Sequence, residues 1–550
     1  MIKLSKNKGK KKMKKIKEIL IFIGILIISY MLIQYSHIRF SIADDYLLNN
    51  IISGTFGNMY DYQMLYINNI LGIILKGLYE IIPKINIYTL YLITTLSICY
   101  MLIVRDILKH KKYIWIPIVF MLYLLTLYNI TYTIIAYLSI AVGILELSSK
   151  SKKEKIVGFI LIINGCLLRS QAFLPVFMVL VTAIILRKID KKEKIEILKW
   201  LAILGVYIVL NIVGNAMYSV NNNLSEFKKW QDASIKIRDY ASIDYDQYRE
   251  IFEKENWTEN DLKLFYSWNF ADKEKFSTES MENIANSVSV QDRYNLSVPK
   301  IIKNFIKQYT KSEKKINDIY IVIFVIAFIV ALIKCENKKS VLYVFVATIG
   351  INILLIIRQR TPYRVIFPQY LIAIIYFIFE TNLKFEEHNK LKKMVYFSTI
   401  LITLLFSITY INKFNKKFYK QDNDQKENES IIKYLEENQE NLYILDSSTY
   451  NSLSMDYKIT NRKKIGEYKN IIKAGGGDCF SNRYYSCLER YNLKYKDNLY
   501  KNLTEDDVFY IGEINDVLRC YLKENVDENA DFSEDTKVDG RIIYKFKMFN

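Results

Sequence analysis

The chain has 550 residues, with 76 Lys and Arg against 57 Asp and Glu, a formal net charge of +19 and 51% hydrophobic side chains. Apolar windows of about 18 or more residues recur through the first three quarters, each able to cross about 30 Å of hydrocarbon as a helix, which excludes a purely soluble multidomain protein. The excess of cations would suit a nucleic-acid binder, but it lies in short loops between apolar runs, where Lys and Arg set membrane orientation, so no nucleic acid partner is expected.

In chain order, the opening MIKLSKNKGKKKMKKIKEIL carries nine lysines before Ile19 and runs straight into the apolar stretch from Ile19 to Tyr35. Residues 1–18 read as a cytoplasmic basic tail. The run after it reads as an uncleaved anchor, since no small-x-small cleavage site follows closely. Further spans are expected near residues 87–104, 113–128, 131–147, 156–168, 172–186, 198–218, 318–333, 341–357, 365–380 and 394–411, eleven in all with the first.

The segment MLYINNILGIILKGLYEIIP, Met64 to Pro83, is apolar but interrupted by Asn68, Asn69, Lys76 and Glu80. If it crossed, the lysine-rich loops from Arg105, Ser148 and Arg187 would all face outside, against the positive-inside tendency. Laid flat as an amphipathic interfacial helix, it puts those loops and the ones from Lys334 and Asn382 in the cytoplasm. The expected fold class is therefore mainly α: a polytopic helical membrane protein of about eleven transmembrane helices (residues 19–411), with interfacial helices in the first outer loop and a small α/β extracytoplasmic C-terminal domain. Three regions fall outside: the first loop 36–86, an insert 219–317 and the tail 412–550.

The insert mixes spaced aromatics with charge and reads as a small helical unit, with Thr258 as an N-cap answered by Asp261. Its aromatics could stack on sugar rings, although core packing is their usual role. In the tail, Leu442 to Leu445, DDVFYIGE and GRIIYKFKM read as strands. The run KAGGGDCFSN, with Gly475 to Gly477, lacks the ending of a phosphate loop and reads as a flexible outer loop. Cys479 and Cys487 are close enough in sequence to pair in an oxidising exterior, leaving Cys520 over.

The stretch FSIADDYLLNNIISGTFG sets Asp44 and Asp45 just beyond the first span. Neighbouring residues point in different directions, so the two are expected to do different jobs. Either aspartate could cap a helix beginning near Tyr46, and Gly54 and Gly57 suggest a turn after it. A carboxylate at the membrane surface can also take a proton from a hydroxyl nucleophile, or hold a divalent cation such as Mg or Mn. Asp45 is assigned as base or metal ligand, with Asp44 supporting. Outer loops are normally poor in positive charge, yet Arg169, Arg358, Arg360 and Arg364 all fall there, and a planar guanidinium suits phosphate. Snorkelling to lipid headgroups is the simpler role for each arginine taken alone. His37, at the outer end of the first span, is a weaker candidate for substrate or metal than for an interfacial position.

The order of first span, IADDY, long first outer loop, many spans and soluble outer C-terminal region resembles the GT-C superfamily of membrane glycosyltransferases. The resemblance covers the architecture and rests on one short motif. It implies an acidic catalytic residue at Asp44 or Asp45, a polyprenyl-phosphate or polyprenyl-diphosphate sugar donor and a phosphate-binding role for the outer arginines; a glycan or lipid acceptor at the outer membrane face is expected with it, and richness in Ile, Lys, Asn and Tyr suits the cytoplasmic membrane of a bacterium with an AT-rich genome. No WWD motif is present, so transfer to protein asparagine is not implied. The alternatives are a flippase or exporter for lipid-linked sugars, whose spans should carry more charge and show internal repeats, and a non-enzymatic scaffold.

Overall fold

A computed structural model describes residues 2–219, 222–240, 243–288, 298–310, 318–358, 361–383, 390–455 and 457–548. Among the described residues, seven helices are long and apolar enough to cross a membrane: Ile16–Ser36 within α1 (Ile2–Ser36), Ile87–Lys109 (α4), Ser170–Asp190, Ile197–Ser219, Lys338–Ile357, Tyr363–Glu380 and Lys393–Glu437. Tyr113–Tyr128, Tyr132–Leu147 and Ile319–Lys334 are shorter apolar helices. The helix Lys152–Leu168, expected as a span, belongs to neither group, since its first turn is KKEK.

Tyr132–Leu147 is buried along its whole length and forms the centre of the bundle. Its N-cap Thr131 accepts a hydrogen bond from the Ile134 amide, as Asn86 does from Thr89 at the start of α4. Lys152–Leu168 packs against it backbone to backbone: a Cβ on Gly158 would stand 2.6 Å from the Leu147 nitrogen. The outward faces are apolar, with Met31, Leu198, Ile212 and Leu401 all more than half exposed, as suits lipid contact.

The basic loops gather at one end. Arg105 pairs with Glu146 at 2.5 Å, Lys109 with Glu154 at 3.7 Å, Lys155 with Glu196 at 3.4 Å, Arg187 with Glu380 at 2.6 Å and Lys191 with Glu336 at 2.6 Å. The first loop holds two short helices, α2 (Ala43–Ile52) and α3 (Asn69–Ile81), at the opposite end. With 13 residues, about 20 Å, α3 is too short to cross. The Asn68 amide at its start donates to the Leu167 carbonyl, and Tyr79 near its finish donates to Asn49 of α2, so the segment returns to the end it left. Leu71, Leu75 and Tyr79 face inward while Ile73, Ile74, Leu78 and Ile81 lie exposed.

Beyond this end, the insert helices Asn222–Tyr240, Glu259–Tyr266 and Thr278–Ser287 stand against a five-stranded sheet of order β2-β1-β3-β5-β4. β1 (Leu442–Leu445) runs parallel to β2 (Ile471–Lys473) and β3 (Val508–Ile511), whereas β4 (Ala530–Val538) and β5 (Arg541–Met548) form an antiparallel hairpin. β2 and β4 were not expected: the first has three residues, and the second, ADFSEDTKV, is too polar to read as a strand. The insert and the tail share one hydrophobic core, in which Trp230, Trp257, Phe265 and Phe270 meet Ile444, Tyr500 and Tyr510. Burial of Trp230 and Trp257 removes them as sugar platforms. Thr258 and Asp261 form the expected capping box.

The helix Lys390–Glu437 runs unbroken past residue 412, because no Gly or Pro interrupts it. One expectation on the tail, the cysteine pair, is corrected. Cys479 and Cys487 are free thiols, with the Cys487 sulfur directed at the Lys469 carbonyl.

Candidate functional site

α2 begins after Ile42, whose side chain makes no capping bond, so neither aspartate is the cap. Both lie in the first turn, where the positive end of the helix dipole favours carboxylates. Being consecutive, they project about 100° apart around the axis and meet different surroundings.

Asp45 is fully buried. Its Oδ1 accepts from the Tyr88 hydroxyl at 2.7 Å and the Tyr132 amide at 3.0 Å, while Oδ2 is buried without a hydrogen-bond partner. Burial penalises the charged form and pushes its pKa up to about 7, against the opposing pull of those two bonds. Asp45 thus ties α2 to the starts of α4 and of the helix Tyr132–Leu147.

Asp44 turns the other way. Its Oδ2 accepts from Arg364 Nη1 at 2.8 Å, and both residues line a cavity of about 600 Å³. The cavity lies between the bundle and the insert. Asn68 and Asn69 at the start of α3, Tyr132, Arg169, Asn211 and Asn215, and Thr361, Pro362 and Arg364 form its bundle side, and Lys228, Asp232, Arg238 and Trp268 its insert side. Arg169 follows the end of Lys152–Leu168, in extended backbone. It donates to the Tyr132 hydroxyl and sits 5.3 Å from that ring's centre. Arg238 stacks 3.8 Å over the Trp268 ring. Lys228 pairs with Asp232. Four cations therefore face two carboxylates among the described lining residues, an excess that suits an anionic ligand.

The expected residues divide. Asp44, Arg169 and Arg364 meet in the cavity, and Asp45 braces it from behind. Arg358 is exposed and is not among the cavity's lining residues, and Arg360 lies outside the described residues. His37 is not in the cavity either: it pairs with Asp422, which also holds Arg39 at 2.5 Å, fixing the end of α1 to the helix Lys390–Glu437. The shared metal role of Asp44 and Asp45 does not fit. Asp45 is sealed behind Tyr88 and Tyr132, leaving Asp44 with only Asp232, which Lys228 engages. No three His, Cys, Asp or Glu side chains converge among the described residues.

Tyr132, Lys228, Arg238 and Trp268 were not foreseen. Lys228, Gln231, Asp232 and Arg238, with the apolar Ile235 among them, recur at three- and four-residue steps along one helix, a mostly polar stripe that could have marked a second wall. The glycine run also gains a definite place, as a close-packing element between tail, insert and first loop. Gly475 lies against the Trp268 carbonyl, Gly477 against the Tyr66 hydroxyl, and the Gly477 carbonyl accepts from Gln231 at 3.1 Å.

Fold and site together define a helical chain with membrane-length helices and a cation-rich cavity walled on one side by the insert. Comparison with protein families, curated proteins and solved structures returned no match.

Proposed function

We propose that this chain is a multi-pass membrane glycosyltransferase of GT-C type, crossing the bilayer about eleven times with its N-terminus in the cytoplasm. It would move a sugar from a polyprenyl-phosphate carrier to an extracytoplasmic glycan or lipid acceptor. The observation that carries this reading is the single cavity shared by Asp44, Arg169 and Arg364, at the end of the bundle opposite the basic loops.

Asp44 is the base in this proposal. The acceptor hydroxyl oxygen attacks the anomeric carbon, its O–H proton passes to an Asp44 oxygen, and the bond from that carbon to the phosphate oxygen breaks. The charge left on the carrier phosphate falls to Arg169 and Arg364, fixed donors aimed at where charge develops. A bound phosphate competes with Asp44 for Arg364, so donor binding releases the carboxylate for the proton. Asp45 is a positioning residue, acting through α2 and Tyr132. These assignments exchange the roles expected of the two aspartates, because the burial of Asp45 withdraws it from any substrate.

The test is chemical. Purified protein in proteoliposomes, given a carrier sugar labelled in both lipid and sugar, should release free polyprenyl phosphate when an acceptor is present. A lipid-linked sugar flippase would move the lipid between leaflets with the sugar–phosphate bond intact, and that result would displace the proposal.

A further inference from the structure

The segment VPKIIKNFIKQYT folds as the helix Val298–Thr310, and none of its described side chains lines the cavity. Val298, Ile302 and Ile306 recur at four-residue steps and so form one stripe along the helix. They are 67%, 54% and 54% exposed. Lys300 and Lys303, also exposed, lie about 100° to 160° around the axis from the middle of that stripe. A short helix with an exposed aliphatic stripe and a lysine-bearing polar face has the form of one lying in a lipid interface.

Its neighbours favour the same partner. The helix packs against Lys338–Ile357, one of the membrane-length helices, and precedes the apolar helix Ile319–Lys334 in the chain. α3 presents a comparable aliphatic stripe.

We propose that Val298–Thr310 lies in the outer bilayer interface, with its aliphatic stripe among acyl chains and Lys300 and Lys303 on anionic lipid headgroups. The insert is then held to the membrane at both ends, by Ile197–Ser219 before the cavity wall Asn222–Tyr240 and by this helix after it. The inference rests on the membrane placement proposed above and is independent of sugar transfer.

Site-directed fluorescence on the full chain tests it. Cys520 is the exposed cysteine, the other five being buried, so Cys520→Ser supplies a quiet background. Ile302→Cys, Lys303→Cys and Met31→Cys would each carry an environment-sensitive dye, in vesicles of phosphatidylethanolamine with phosphatidylglycerol. The expected result is blue-shifted emission at 302, quenched by a shallow nitroxide lipid, with neither effect at 303. Quenching at 302 should fall in phosphatidylcholine alone and in the Lys300→Gln/Lys303→Gln variant. Equal signals at 302 and 303 would overturn the proposal, as would a blue shift at 302 that lipid nitroxide leaves unquenched, which would show protein, such as a second copy, on the stripe. A deep quencher reaching Met31 while the shallow nitroxide leaves 302 unquenched would refute this inference alone. Failure to reach Met31 would refute the membrane placement itself.

Discussion

Arg364 Nη1 stands 2.8 Å from Asp44 Oδ2, across 320 positions of sequence. The pair joins the first outer loop to the start of a late membrane-length helix and faces the cavity that also holds Arg169. Two of the three groups that the proposed transfer assigns a role are thereby in contact.

Asp44→Asn should lower the transfer rate by about 10²- to 10⁴-fold, the usual contribution of a positioned base. The fold should survive, since a partly exposed ion pair contributes only about 0–1 kcal/mol. Turnover in proteoliposomes and thermal unfolding in detergent measure the two effects, and an unchanged rate would remove Asp44 from the mechanism.

Asp45 should govern stability and its pH dependence. Its pKa is raised from 3.8 unfolded to about 7 folded, so between these values the folded state holds the proton more tightly. The stabilising contribution is complete below about pH 4 and is lost as pH rises toward 7, by at most about 4 kcal/mol. Melting curves across that range should show the decline in the wild type and a flatter profile in Asp45→Asn. Asp45→Ala, which strands the Tyr88 hydroxyl and the Tyr132 amide, should cost about 1–3 kcal/mol for each group.

Trp268→Ala removes the surface on which Arg238 stacks. A desolvated cation–π contact contributes about 2 kcal/mol, so the carrier's KM should rise by roughly tenfold or more while kcat changes little. A fall in kcat without a change in KM would place this wall in the chemical step instead of in binding.

Gly475→Ala should loosen the seam between tail and insert, because a Cβ there meets the Trp268 carbonyl. Overpacking of this kind costs about 1–3 kcal/mol. Faster proteolysis of the tail, with the membrane helices intact, is the expected signature.

Exposed positions at the two ends should label from opposite sides. In the Cys520→Ser background, Lys153→Cys and Lys192→Cys, in the basic loops, should react only with reagents reaching the cytoplasmic face, and Asp246→Cys and Lys523→Cys only from outside. Labelling of Lys153→Cys from outside would invert the topology.

Much of this was legible in sequence for identifiable reasons. Long apolar runs have few alternatives to helix, and the lysine loops placed Met64–Pro83 across one end, where the 13-residue α3 lies. The Thr258–Asp261 capping box is a local device and folds as written. The Asp539–Gly540 dipeptide turns the β4–β5 hairpin with positive φ at both residues, but β4 before it is too polar to read as a strand. The disulfide failed for a different reason: proximity in sequence does not set the direction of two thiols, and Cys487 points to a carbonyl.

By itself, then, the sequence determined what depends on composition and period: which segments are apolar helices, which loops share an end, and that two carboxylates and several arginines stand at the other. The tertiary structure decided which of them meet. Asp44 rather than Asp45 faces the arginines because consecutive helical residues diverge by about 100° and the bundle buries only one side of α2. Arg364 joined Asp44 while Arg358 did not, and the second wall came from an insert whose aromatics found their core in the distant tail. Such pairings depend on long-range packing, which no local pattern encodes.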